Sequence, residues 1–471
     1  MVFSSMFFLF IYLPVFLLLY YLAPKVLKNG ILLFFSLIFY AWGEPVYVVL
    51  MILSILINYL GGLEIEDLLL HKRRKEARAI CIEVVVLNLL ILGFYKYYGF
   101  LIDNINALLH IHLKHHELAL PIGISFYTFQ TLSYVLDVYK KKVRAQKNVI
   151  SFGAYVSMFP QLIAGPIVRY SDVEKQLKER TISFNKFGEG AVWFIQGLGK
   201  KVLIANNIGK TFEAIQMLGP SKTSVLSAWI GCFAYTMQIY YDFGGYSDMA
   251  IGLGKMLGFN FEKNFNYPYI ADSVTDFWRR WHISLGSWFR EYVYIPLGGN
   301  RVSVGKHIRN LLVVWLLTGL WHGASWNFIA WGVYYGILLI FEKYVLLKVW
   351  DVVPGFVKHI YTMFWVMIGW MLFAASSLGS AFTYIGTMFG AGGAGFVDAT
   401  AMYELRSILV LGIIAILVSV PYCYRRFSKL LFLKNTDKGK YVFISFYVVV
   451  LILSIAYLVN ATYNPFLYFR F

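Results

Sequence analysis

The chain has 471 residues, 59% of them hydrophobic and 14% charged, against about 25% charged in an ordinary soluble domain. The deficit runs along the whole length, which excludes a water-soluble globular protein and leaves a polytopic membrane protein. A formal charge of +17 would suggest nucleic acid in a soluble protein, but here the basic residues fall in short loops between apolar runs, the positive-inside pattern, so no nucleic-acid partner is expected.

In chain order, residues 5–23, 31–42, 46–63, 79–100, 120–138, 187–205, 225–241, 307–320, 326–347, 356–375, 405–424 and 441–459 are the candidate spans, about a dozen for a crossing length of about 20 residues. The first has no basic flank ahead of it and no small-residue cleavage site, and Lys25 and Lys28 follow it. It reads as a retained helix with its N-terminus outside rather than as a signal peptide. Residues 150–168 and 244–259 are apolar but interrupted by Pro or Gly. They read as re-entrant candidates, because broken backbone at membrane depth needs protein or a cavity around it. Basic clusters at 71–78, 140–144 and 425–440 share one side if the spans alternate, and that side is expected to be cytoplasmic. The loops 103–117 and 376–404 and the tail 463–471 then lie outside. No internal repeat and no long linker divides the chain, so one membrane domain over 1–471 is expected. Cys81, Cys232 and Cys423 lie far apart in apolar runs and read as packing residues.

The residue with most chemical content is His322, in Leu320-Trp321-His322-Gly323-Ala324-Ser325-Trp326 between two apolar stretches. An ionisable residue at membrane depth is costly and marks a functional candidate. The competing reading is a histidine that merely bridges two helices. Gly319 and Gly323, and Gly332 and Gly336 on the next span, would let helices approach closely. Trp321 and Trp326 would exclude water. A histidine in such a niche would stay neutral near pH 7 and accept a proton.

The densest polar cluster spans 264–301. Asp272 or Ser273 can cap a helix, with Asp276 at the capping-box position. Phe277, Trp281, Leu285, Trp288 and Tyr292 recur at helical spacing, with Arg279, Arg280, His282 and Arg290 off that stripe. This predicts an amphipathic helix in the cytoplasmic interface. Either its arginines meet lipid phosphates, or Arg279, Arg280 and Arg290 form a basic mouth for a phosphate-bearing donor. Elsewhere, Asp248 reads as a helix cap, whereas Asp242 needs a partner. Residues 159–166 read as a cavity-lining segment. Residues 390–395 fit G-x-G-x-x-G by letter, but no βαβ unit surrounds them, so they are rejected as a nucleotide site. His110, His112, His115 and His116 cluster in a loop without an ordered ligand frame, and no metal site is assigned.

The run from Asp276-Phe277-Trp278-Arg279-Arg280-Trp281-His282 through Pro296-Leu297-Gly298-Gly299-Asn300-Arg301 to Trp321-His322-Gly323 resembles the membrane-bound O-acyltransferases. So do Pro160-Gln161-Leu162-Ile163-Ala164-Gly165-Pro166 and Tyr241-Asp242-Phe243-Gly244-Gly245-Tyr246-Ser247-Asp248. The resemblance covers nearly the whole chain. It is closest to the branch that acetylates bacterial polysaccharides such as alginate, and the Pro-Leu-Gly-Gly-Asn-Arg segment favours that branch over teichoic acid D-alanylation. It implies an all-α membrane fold, a ring of helices around a thinned centre, with His322 catalytic and His282 the second polar position. It implies an acyl thioester, acetyl-CoA or an acyl carrier protein, as co-substrate from the cytoplasm, with no permanently bound cofactor. The acceptor hydroxyl would enter from outside, often on a secreted or periplasmic partner acetyltransferase that serves an envelope polysaccharide. The expected location is a bacterial inner membrane.

Three functions are therefore in play. The leading one is an O-acyltransferase with His322 as general base. The second is a carrier that moves an acyl group or glycolipid without bond chemistry, and the third a structural anchor for a secreted acetyltransferase.

Overall fold

The computed structural model describes residues 1–460 other than 115, 117, 164 and 433–435, with side chains between 424 and 437 described only in part. The expected outside tail, 463–471, falls beyond these residues, as does His115. Among the described residues every regular element is helical. Among the described residues, six helices are long and apolar enough to cross a membrane: Val48–Leu70, Arg74–Leu109, Trp326–Lys348, Gly355–Ala374, Ala399–Val418 and Lys438–Asn460. Other expected spans are helical but short, such as Lys28–Ala41 with 14 residues and Ile124–Tyr139 with 16. At 1.5 Å per residue these fall below the about 30 Å of hydrocarbon.

Contacts gather the chain into two compact units. The first comprises Met1–Phe194 and Met249–Glu262. Phe159 sits at the centre of its aromatic core, edge-on to Phe16 at 5.1 Å and to Tyr12 at 5.5 Å. Apolar side chains cannot drive helices together inside lipid, so the unit also uses amide pairing. Asn58 and Asn88 exchange hydrogen bonds at 3.0 Å between Val48–Leu70 and Arg74–Leu109. Small residues assist: a Cβ on Gly61 would lie 2.6 Å from the Val84 side chain. Residues 150–168 are broken as expected. The Val149–Ser157 helix stops at Met158 and a single turn, Phe159–Leu162, follows.

The second unit comprises Ile195–Asp248 and Lys263–Phe471. Its centre is an antiparallel hairpin of Val304–His322 and Trp326–Tyr344. The glycines do what their spacing suggests: a Cβ on Gly332 would lie 3.2 Å from the Gly319 Cα, and one on Gly336 would lie 3.3 Å from the Leu312 side chain. Gly355–Ala374 packs on this hairpin. Ala399–Val418 supplies Ala401 and Ile408 to a cluster with Ile215 and Ile230.

Two expectations need correcting. Gly244-Gly245 does not break a helix, since Val225–Met256 runs unbroken. A Cβ on Gly245 would lie 2.7 Å from the Gly197 carbonyl oxygen, so this glycine serves close helix approach rather than a turn. Nor is 273–292 one continuous helix. It divides into Val274–Arg280, Ile283–Phe289 and a π-helical Arg290–Tyr294.

Candidate active site

The division of 273–292 builds the site. Ser273 caps the Val274–Arg280 helix by accepting from the Asp276 backbone N–H at 3.0 Å. Glu342, buried at the end of the hairpin's second helix, adds to this cap. Its carboxylate accepts from the backbone N–H groups of Val274 at 2.6 Å and Thr275 at 2.9 Å, and from Thr275 Oγ1 at 2.6 Å. A carboxylate on helix-terminal N–H groups that lack an intrahelical partner matches the positive end of the helix dipole. The helix then stops at Trp281, which is extended at φ −99° and ψ 131°, and His282 after it adopts a left-handed conformation, φ 45° and ψ 53°. That geometry costs a non-glycine residue about 1–2 kcal/mol and persists only where neighbours hold it.

The neighbours come from the segment before the helix. Asn264 accepts the Ile283 N–H on its backbone carbonyl at 2.9 Å, and the Asn266 N–H donates to the Arg280 carbonyl at 2.9 Å. The Asn264 side-chain oxygen meets Ser284 N and His282 Nδ1, each at 3.2 Å. The apolar stripe survives the break: Phe277, Trp281, Leu285, Trp288 and Tyr292 are all buried.

His322 is the last residue of Val304–His322 and is 4% exposed; His282 is 2% exposed. Both pack against the Trp321 indole, His322 at 5.0 Å and His282 at 5.8 Å between ring centroids. His322 is also edge-on to Trp331 and Phe373, each at 5.1 Å. His282 is edge-on to Phe243 at 4.8 Å. Trp370 links the two sides, 5.7 Å from Phe373 and 4.7 Å from Trp281. Asn327 fixes the Phe373 end by donating to the Ala375 carbonyl at 2.9 Å. Burial pushes the His282 imidazole down to about 3, so it is neutral at physiological pH. Two buried imidazoles on one indole, walled by aromatic rings, make a dry niche suited to proton transfer at a hydroxyl.

With that geometry in view, comparison with known proteins is informative. The model of the membrane-bound O-acyltransferase family matches residues 111–387. The probable alginate O-acetylase AlgI of Azotobacter vinelandii is 44% identical over 400 residues, covering 83% of this chain and 79% of that protein. The Pseudomonas aeruginosa protein of the same name is 44% identical over 398 residues, covering 83% and 75%. The peptidoglycan O-acetyltransferase of Helicobacter pylori is 35% identical over 430 residues, covering 83% and 80%. The chain belongs to the membrane-bound O-acyltransferase family. It is an O-acyltransferase and a multi-pass membrane protein.

The arginines of this acyltransferase are not equivalent. Arg279 and Arg290 are exposed. Arg280 binds Asp276 one turn earlier, Nε to carboxylate at 2.7 Å. Asp242 has the partner its burial requires, an ion pair with Lys201 in which both side chains are 2% exposed. Asp248 is not a cap. It lies inside Val225–Met256 and accepts from Lys200 Nζ at 2.6 Å. Both lysines lie on a π-helical segment, Lys200–Ala205, a form of helix found often at functional sites. Sequence reasoning missed Asn264, Glu342 and the two lysines. The lysines had a detectable signal: two adjacent cations in an apolar run, matched in type to the two aspartates.

Proposed function

We propose that this protein takes an acyl group, acetyl by the names of its relatives, from a cytoplasmic thioester and passes it across the membrane for O-acetylation of an extracytoplasmic polysaccharide such as alginate. His322 is the general base. It takes the proton of the acceptor hydroxyl as that oxygen attacks the thioester carbonyl. The C–O bond forms, the C–S bond breaks, and the proton passes from the imidazolium to the departing thiolate. His282 orients the attack or steadies the oxyanion. A positioned base contributes about 10²–10⁴ in rate, so orientation and exclusion of water supply the rest.

The observation that carries this reading is the pairing of two buried histidines on the Trp321 indole within one unit. Arg279 and Arg290 are proposed to meet donor phosphates, with Arg280 contributing from its ion pair. Acetyl-CoA or an acyl carrier protein is the donor. A secreted or periplasmic acetyltransferase receives the group, and an envelope polysaccharide is the final acceptor. The protein lies in the bacterial inner membrane as one domain, with about a dozen helices and a re-entrant segment at 150–168 ringing a thinned centre.

The test is His322→Ala in cells, with the variant present at normal levels. Surface polymer is expected to lose its acetyl esters; unchanged acetylation would remove the base role. Purified protein given labelled acetyl thioester separates the enzyme from a carrier or an anchor, neither of which breaks the thioester. A transferred D-alanyl group would favour the teichoic acid reading instead.

A further inference from the structure

We infer that Asn264 is a positioning residue that fixes the tautomer of His282, holding the ring proton on Nδ1 and leaving Nε2 as the basic nitrogen. This rests on His282 belonging to the acyl-transfer site proposed above. One oxygen decides it. Asn264 Oδ1 lies 3.2 Å from the Ser284 backbone nitrogen, 2.9 Å from Ser284 Oγ and 3.2 Å from His282 Nδ1. A backbone N–H can only donate, so the Asn264 atom facing it is the carbonyl oxygen rather than the amide nitrogen. An amide oxygen can only accept. His282 Nδ1 therefore carries hydrogen, and in a neutral imidazole Nε2 then does not.

The arrangement is rigid at both ends. Asn264 is 1% exposed, and its backbone carbonyl is bonded to Ile283, the residue after the histidine. The left-handed backbone at His282 sits between the two flanking helices, and the same asparagine bonds the turn and the ring. Burial keeps the ring neutral. Phe243 and Trp321, which pack on it, are not ionisable. On the elements packed against it, Asp242 is paired with Lys201, Asp248 with Lys200 and Asp276 with Arg280; His322 packs on the same Trp321 indole, and Lys263 and Arg279 flank Asn264 and Arg280 in sequence.

The tautomer narrows the chemistry. A neutral His282 with its proton on Nδ1 cannot donate from Nε2 to an oxyanion. It accepts a hydrogen bond from an O–H or N–H of bound substrate and so orients that group. Oxyanion stabilisation falls to other donors.

Two measurements test this on the full chain in detergent or lipid. The first is the ¹⁵N spectrum of histidine-labelled protein, with His282 assigned by its loss in His282→Asn. The expected signals are those of a neutral ring protonated at Nδ1; a ring protonated at Nε2 or at both nitrogens overturns the inference. This reading is independent of activity and of whether any Asn264 variant folds. The second is the pH profile of acetyl transfer in Asn264→Asp. A carboxylate against Nδ1–H favours the imidazolium, so the acid limb is expected to move up by about 1–3 pH units. An unmoved profile, or a gain of activity at low pH, overturns it. A fully active His282→Ala beside the expected spectrum would instead sink the placement of His282 in the site and leave the tautomer standing.

Discussion

Phe159 in the first unit and His322 in the second sit in nearly the same surroundings. Each is buried, and each is edge-on to aromatic neighbours about 5 Å away: Phe16 and Tyr12 for the phenyl, Trp331 and Phe373 for the imidazole. The difference is what the shell encloses. A buried phenyl adds its transfer free energy and edge-to-face contacts of about 0.5–1.5 kcal/mol each. A buried imidazole gains similar contacts but costs about 1–3 kcal/mol for each polar nitrogen that lacks a good partner. Packing explains the first position. It does not explain the choice of histidine at the second.

The sharpest way to break the comparison is to make the two alike. His322→Phe should fit the existing shell, keep thermal stability close to wild type and lower acetyl transfer by about 10²–10⁴. Phe159→Ala should do the reverse, costing about 3–5 kcal/mol of stability, measured by thermal unfolding of both variants in the same detergent. If His322→Phe loses stability in proportion to activity, the imidazole is a structural element and the comparison fails.

The Lys201–Asp242 pair is a third way to bury polarity, with charge matched by charge. Removing one partner leaves the other uncompensated, so Asp242→Asn or Lys201→Met should cost about 3–5 kcal/mol, whereas replacing both with apolar residues of similar volume should recover most of it. A double variant as unstable as either single one would show that the π-helical segment, rather than the ion pair, needs these side chains.

These regions also differ in how much of them the sequence displays. The apolar stripe of 277–292, the close glycines of the hairpin and the partner demanded by Asp242 follow from spacing and charge alone, and all are found. The break at His282 is not visible that way, because periodicity continues across it: Trp281, Leu285 and Trp288 stay in phase although the helix stops. What stops it is Asn264, eighteen residues earlier, acting on the far side of a turn. Glu342 caps Val274 from sixty-eight positions away. Gly244-Gly245 misleads in the opposite direction, since glycine marks both a turn and a close helix contact, and only the neighbouring Gly197 carbonyl distinguishes them. Local pattern shows which face is buried; long-range hydrogen bonds decide where the chain bends.

A smaller effect separates a buried histidine from the buried phenyl by pH. In the unfolded chain His282 binds a proton below about 6.5, whereas in the folded protein burial delays this to about 3. Between those values the unfolded state holds more protons, so stability rises with pH and is lost as pH falls below about 6.5. Wild-type unfolding temperatures should decline through that window more steeply than those of His282→Asn, while Phe159→Ala should shift the whole curve without changing its slope. Parallel curves for wild type and His282→Asn would mean that the buried ring is not neutral.

The smallest effect concerns the arginines, and it tests whether exposure or sequence proximity decides function. Arg279 and Arg280 are adjacent, but Arg280 is held by Asp276 and Arg279 is exposed, as is Arg290. If Arg279 and Arg290 meet donor phosphates, their replacement by Ala should raise KM for acetyl-CoA several-fold at low salt, leave kcat unchanged and lose its effect as salt screens the charges. The same variants should leave KM unchanged for a short acetyl thioester that carries no phosphate. Arg280→Ala should instead act through its helix, by about 0.3–0.5 kcal/mol for a partly exposed i,i+4 pair, with a smaller change in KM. A rise in KM that is equal for both thioesters would assign these arginines to the membrane surface rather than to the donor, and the polar face of 274–294 would then be an interface anchor, leaving the two imidazoles as the part of this region that carries chemistry.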